Sequence, residues 1–144
     1  METNKLKQRV VIIISVLIVV VVFASCTKKI AFETSPIVPA ARGYVKVKKD
    51  NNKNYAIEVS ISNLAEVERL EGNNKSYVVW LISDNESPKN IGQINSGSGR
   101  FSKKLRASFH SVSTLKPTKI FITAEHDGTA QYPGNVAVLT TEAM

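Results

Sequence analysis

The sequence predicts an all-β protein: an antiparallel immunoglobulin-like β-sandwich of about six to seven strands behind an N-terminal signal segment. Three observations carry this. Apolar and polar residues alternate with period two at Tyr44–Lys48 and again at Tyr55–Ser62. Polar, turn-forming runs punctuate the chain at near-regular spacing, at 49–54, 83–88 and 96–99. No long stretch between 42 and 144 keeps its apolar residues at helical spacing.

Taken in order, Val45 and Val47 alternate with Tyr44, Lys46 and Lys48, and Tyr55, Ile57, Val59 and Ile61 alternate with Ala56, Glu58, Ser60 and Ser62. These are two half-buried strands, and the polar run Lys49–Asn54 between them makes an antiparallel hairpin the natural connection. Leu64, Val67 and Leu70, spaced three apart, suit a short helical turn or a loop plug. Ser76–Ile82 is apolar on both faces, as in a central strand covered on each side. The turn Ser83–Pro88 leads into a strand at Asn90–Ile94, and Ser96–Gly99 is a break. Phe101, Leu105, Phe109 and Val112 then follow a helical spacing, while the Ser, Lys and Arg content of Arg100–Val112 leaves strand or loop open. Lys119–Ala124 and Val136–Leu139 read as the last strands.

The N-terminus supplies the address. Lys5, Lys7 and Arg9 face a single acid, Glu2, and from Val10 to Ala24 the only polar residue is Ser15. As a helix this apolar run spans roughly 22 Å, short of a hydrocarbon core about 30 Å thick. Phe23-Ala24-Ser25-Cys26 places two small residues before the only cysteine of the chain. The arrangement resembles the lipobox of bacterial lipoproteins, with Phe23 where that family commonly has Leu. The resemblance implies that the Cys26 thiol receives a diacylglyceryl group, that a peptidase cuts before it, and that acyl chains hold the mature protein on a membrane. An uncleaved signal anchor is the alternative. Either reading leaves the basic residues inside and the folded part outside the cytoplasm, on the cell membrane or the outer membrane.

Three regions follow: 1–25 a lipoprotein signal peptide, 26–41 the lipidated Cys26 and a flexible tether, and 42–144 the sandwich. Residues 27–41 read as a tether because they show no sustained period and contain Pro36 and Pro39. Beyond residue 25 the length suits one domain. A lone cysteine leaves no intramolecular disulfide, so stability must come from the apolar core.

The formal charge of +7 falls to +5 when the signal, with three basic residues and one acid, is removed. That mildly basic balance suits anionic head groups or envelope polymers and is also ordinary for solubility. Outside the cytoplasm, nucleic acid is not a partner.

From Tyr77 onward the order of features resembles the extracytoplasmic C-terminal domain of anti-sigma-K factors. The matching pieces are Tyr77–Ile82 with its Trp80, Ile91–Ile94, Lys119–Glu125, and a loop ending Tyr132-Pro133-Gly134 before the closing strand. With the preceding Tyr55–Val59 and Leu64, which suit the strand and small loop before the tryptophan in that family, about 90 residues are covered, on weak motifs: one Trp, one Gly, one Glu and their spacing. Where that family commonly has Pro and then a Gly-Gly pair, this chain reads Glu125-His126-Asp127-Gly128-Thr129. Only nine residues precede the apolar segment, too few for a sigma-binding domain. The resemblance implies the fold and the envelope side of such a system, not sigma-factor binding.

Chemistry is sparse. His110 and His126 are the only histidines, and Glu125-His126-Asp127, the one local cluster, is an incomplete metal shell whose Asp127-Gly128 is also an ordinary turn. Ser108 and His110 lie close, without the Gly-x-Ser-x-Gly elbow of a serine hydrolase. Glu58, Glu66, Glu68 and Glu71 show no apolar pocket that would raise a pKa. Arg100, Lys103, Lys104 and Arg106 form a basic cluster for a phosphorylated or carboxylated envelope polymer, or else edge lysines that block strand pairing. Trp80 is read as a core residue, with stacking on a sugar as the alternative.

The expectation is therefore a non-enzymatic interaction or sensor lipoprotein of the envelope, needing no cofactor and no metal. It is tethered to the membrane through Cys26 and has an envelope protein or polymer as partner, with Arg100, Lys103, Lys104 and Arg106 as its ligand surface. The rivals are a single-pass regulator of anti-sigma type without its sigma-binding domain, and a small envelope hydrolase.

Overall fold

Period-two alternation becomes two four-stranded antiparallel sheets in the computed structural model, which describes residues 5, 7–9, 27–84, 86–94 and 106–144. Cys26, the apolar run before it, Ser96–Gly99, Arg100, Lys103 and Lys104 lie outside the described residues. The first sheet has the order β1 (Lys28–Ala31), β2 (Arg42–Lys49), β3 (Tyr55–Ser62) and β6 (Arg106–Ser113). The second has β5 (Lys89–Ile94), β4 (Ser76–Ile82), β7 (Lys119–Glu125) and β8 (Ala137–Thr140). Setting β1 aside, the other strands follow the immunoglobulin-class Greek key: β6 crosses back to lie beside β3, and β7 to lie beside β4.

The expected hairpin is present, with Lys49 opposite Tyr55. Asp50 closes it: one carboxylate oxygen accepts the amides of Asn52 and Asn54, both at 2.8 Å, and Lys53 takes the left-handed φ of 65° that the turn requires. The residues that alternate inward, Val45, Ile57, Val59 and Ile61 from the first sheet and Tyr77, Val79, Leu81, Ile120 and Ile122 from the second, are buried and form the core. Each such side chain contributes about 1.5–3 kcal/mol by leaving water. The plug expected at Leu64–Leu70 contains a short 3-10 turn, Val67–Arg69, with Leu64 and Val67 buried under it.

Tyr77 ends this core. Its hydroxyl donates to the carbonyl of Ala65 at 3.0 Å, and burial, aided by the nearby charge of Glu68, pushes its pKa from 10 to about 12. The folded state therefore favours the neutral phenol. That preference is fully present below pH 10 and is lost as pH rises toward 12. Base titration is expected to lower the denaturation midpoint across this window, and Tyr77→Phe should flatten the loss.

The tether is corrected by the structure. Residues 28–41 are built into the sandwich: β1 pairs with β2 along its whole length, Lys28 opposite Val47 and Ala31 opposite Tyr44. The chain then changes sheets. Phe32 donates its amide to Gly43 in the first sheet and bridges Thr141, and the Glu33 amide bonds Thr140 of β8. Phe32, Ser35, Val38 and Ala41 are all buried, and the Ser35 hydroxyl accepts the amides of Ile37 and Val38. Burying Phe32 and satisfying these backbone groups outweighs the entropy a free tether would keep.

The helical spacing across Arg100–Val112 also gives way to a strand in its described part. β6 pairs with β3 through eight registered positions, Tyr55–Ser113 to Ser62–Arg106. Phe109 turns inward, whereas Val112 is 67% exposed. Phe109 packs over Gly92, where a Cβ would lie 2.7 Å from its ring and where φ is 136°. Gly92 thus lets one edge of the sandwich close.

Candidate functional site

The outward residues of the first sheet line up in register. Arg42, Ser62 and Arg106 form one row, and Ala31, Tyr44, Ser60 and Ser108 the next. Lys29, Lys46, Glu58 and His110 form a third, and Lys48, Ala56 and Val112 a fourth. Cations therefore come from β1, β2 and β6, and among the described residues Glu58 is the only acid in these rows. It lies 3.5 Å from Lys46, a half-exposed pair of small energetic weight. Lys29 sits 4.0 Å from the centre of the Tyr44 ring and Lys46 5.4 Å from it, so the phenol face gathers two ammonium groups. The Arg42 guanidinium donates to the carbonyls of Pro39 and Ala41 at 2.6 and 2.7 Å, which fixes it beside a shallow trough. Arg42, Tyr44, Ser60, Ser62, Arg106 and Ser108 line that trough.

Of the sequence-derived basic cluster, Arg106 lies here, in the same row as Arg42. Arg100, Lys103 and Lys104 fall outside the described residues. Ser108 and His110 share this face, in adjacent rows, with Ser60 beside the first and Glu58 beside the second.

The Glu125-His126-Asp127 cluster diverges. The Glu125 carboxylate accepts the Thr123 hydroxyl and the Gly134 amide. His126 donates from Nδ1 to the carbonyl of Asn73 at 2.9 Å. Asp127 accepts the Thr129 amide at 2.9 Å, which holds its carboxyl below the usual range. Among the described residues no group of three or more His, Cys, Asp or Glu side chains is placed to hold a metal ion.

Trp80 is fully buried, and not in the inter-sheet core. With Val78 it lies on the other face of β4, beside Phe121 at 6.3 Å between ring centres. Its indole N–H donates to the Thr123 hydroxyl at 2.7 Å, and that hydroxyl donates in turn to Glu125. The cover is the β7–β8 loop: the Asn90 amide group donates to the carbonyls of Gly128 and Ala130 at 3.0 and 2.9 Å. Gly128 lies against Gln93 so closely that a Cβ would collide with it. The same loop exposes Tyr132 and Val136, and a second cleft at this end is lined by Ile37, Leu70, Ala124, Val136 and Arg69.

No protein-family model, curated protein or solved structure matches the chain.

Proposed function

We propose that the protein is a membrane-tethered, extracytoplasmic interaction lipoprotein of the bacterial envelope, non-catalytic, that presents the outer face of its first sheet to an acidic partner. One observation carries the reading: the segregation of charge, with Lys29, Arg42, Lys46, Lys48 and Arg106 on a face that holds Glu58 as its only described acid. An anionic protein or polymer meeting that face gains from several cations at once, and the planar guanidinium groups of Arg42 and Arg106 suit carboxylate or phosphate forks. The export signal and lipobox-like Phe23–Cys26 support the address. The resemblance to the outer domain of anti-sigma-K factors supports a place in envelope sensing.

Crosslinking in intact cells followed by capture tests this. Arg42→Glu combined with Arg106→Glu is expected to lose the crosslinked neighbour at least tenfold while leaving membrane attachment unchanged. His110→Ala and His126→Ala should keep the neighbour. A neighbour retained in full by the double reversal would overturn the basic face as the site. Intact mass of the membrane-extracted protein tests the anchor: residues 1–25 present and lipid absent would overturn the lipoprotein reading.

A further inference from the structure

We propose that the lysine-rich end of the first sheet, the β2–β3 hairpin with the start of β1, rests on anionic phospholipid head groups and so fixes the orientation of the sandwich on its membrane. This rests on the reading that the chain is tethered at its N-terminal side. Lys28 stands opposite Val47 and Lys49 opposite Tyr55, so the entry of the chain into the fold and the hairpin turn share one end of the sheet. Two Cα steps of about 3.8 Å separate Cys26 from Lys28, so an anchor at Cys26 keeps this end close to the head groups.

The chemistry of that end suits the surface it would meet. Lys28, Lys48, Lys49 and Lys53 are all exposed there. The one acid of the turn, Asp50, is engaged by the amides of Asn52 and Asn54 and by the Asn54 side chain at 3.3 Å, so it shapes the loop and leaves a net positive end. Lys49 is 5.7 Å from the centre of the Tyr55 ring. Val112, 67% exposed, shares the row of Lys48 and offers an aliphatic group between the cations, the mixture that suits the head-group boundary. The chain leaving β3 at the other end carries Glu66, Glu68 and Glu71 around Arg69. An anionic surface therefore attracts the hairpin end, whereas at the other end these acids stand in the same region as the cations Arg42 and Arg106. Each lysine at such a surface strengthens attachment by about fivefold.

The test uses the full chain, extracted from membranes and reconstituted into vesicles of phosphatidylcholine alone or mixed with phosphatidylglycerol. A fluorophore on Asn52→Cys or, as a control, on Gln131→Cys reports proximity to a head-group nitroxide. Quenching is expected at position 52 and not at 131, stronger with phosphatidylglycerol and at least halved by the triple change K48E/K49E/K53E. Circular dichroism and the unfolding midpoint of the triple variant should match the parent, since the three side chains are exposed. Equal quenching at both positions, or quenching at 52 indifferent to lipid charge and to the triple change, would overturn the proposal. So would an Asn52 probe that only a soluble acidic polysaccharide shields from iodide, which would assign the lysines to a polymer. Intact mass separates the two failures: an uncleaved segment would refute lipidation at Cys26 while still tethering the same end.

Discussion

Trp80→Ala is expected to unfold most of the protein at temperatures where the parent is fully native. The indole fills the layer between β4 and the β7–β8 loop, is fully buried, and gives its N–H to the Thr123 hydroxyl at 2.7 Å. Truncating a buried Trp costs about 3–5 kcal/mol, and a lost hydrogen bond adds about 1 kcal/mol, against a total stability of about 5–15 kcal/mol for a domain of this kind. Trp80→Phe should cost roughly 1–2 kcal/mol, since it keeps most of the apolar area and loses the donor. Urea unfolding followed by circular dichroism checks both. Hydrogen exchange adds a local signature: in the phenylalanine variant, amides of residues 128–134 should lose protection before those of β3. An alanine variant with the parent midpoint would show that the loop does not seal this layer.

Phe32→Ala should cost about 3 kcal/mol, whereas Thr34→Ala, two residues on and exposed, should stay within about 0.5 kcal/mol. A tether predicts no cost at either position. Phe32 is 8% exposed, and its backbone joins Gly43 of one sheet to Thr141 of the other. Removing the ring therefore opens a cavity at the seam of the sandwich. Denaturant midpoints of the two variants, compared side by side, decide it; equal midpoints would restore the tether.

The strand missed in residues 28–31 and the choice left open at Arg100–Val112 have a common physical origin. Strands announced themselves wherever one face met the core and the other met water, as at Val45–Lys48 and Tyr55–Ser62, because period two is then written into single residues. Phe32, Ser35, Val38 and Ala41 are buried at intervals of three, a repeat that neither the strand nor the helix template detects. In β6, Phe109 and Val112 fit a helical stripe by spacing alone, yet pairing with β3 sends them to opposite faces. Ser76–Ile82 was legible as doubly covered, but the cover over Trp80 is a loop punctuated by Asp127-Gly128 and Pro133-Gly134, whose composition signals only turns.

The basic face was legible only at Arg106. Arg42, Lys46 and Lys48 share β2, but Lys29 on β1 and Arg106 on β6 join them only through strand register, so no local window contains the whole face. The hairpin read through the Lys49–Asn54 turn, once carried into register, places Lys46 beside Glu58. Extending it to β1 would have needed the strand hidden in the supposed tether.

The position of β1 has a mechanical consequence. Tension entering the chain at Lys28 runs along an edge strand bound to β2 by a four-residue antiparallel ladder, and the load falls on those hydrogen bonds together, in shear, instead of peeling them singly. Behind the ladder, Phe32 is stitched to both sheets. A pull on the N-terminal side is thus resisted by the rate of rupture of a clamp, and the core beyond it feels force only after that clamp has slipped.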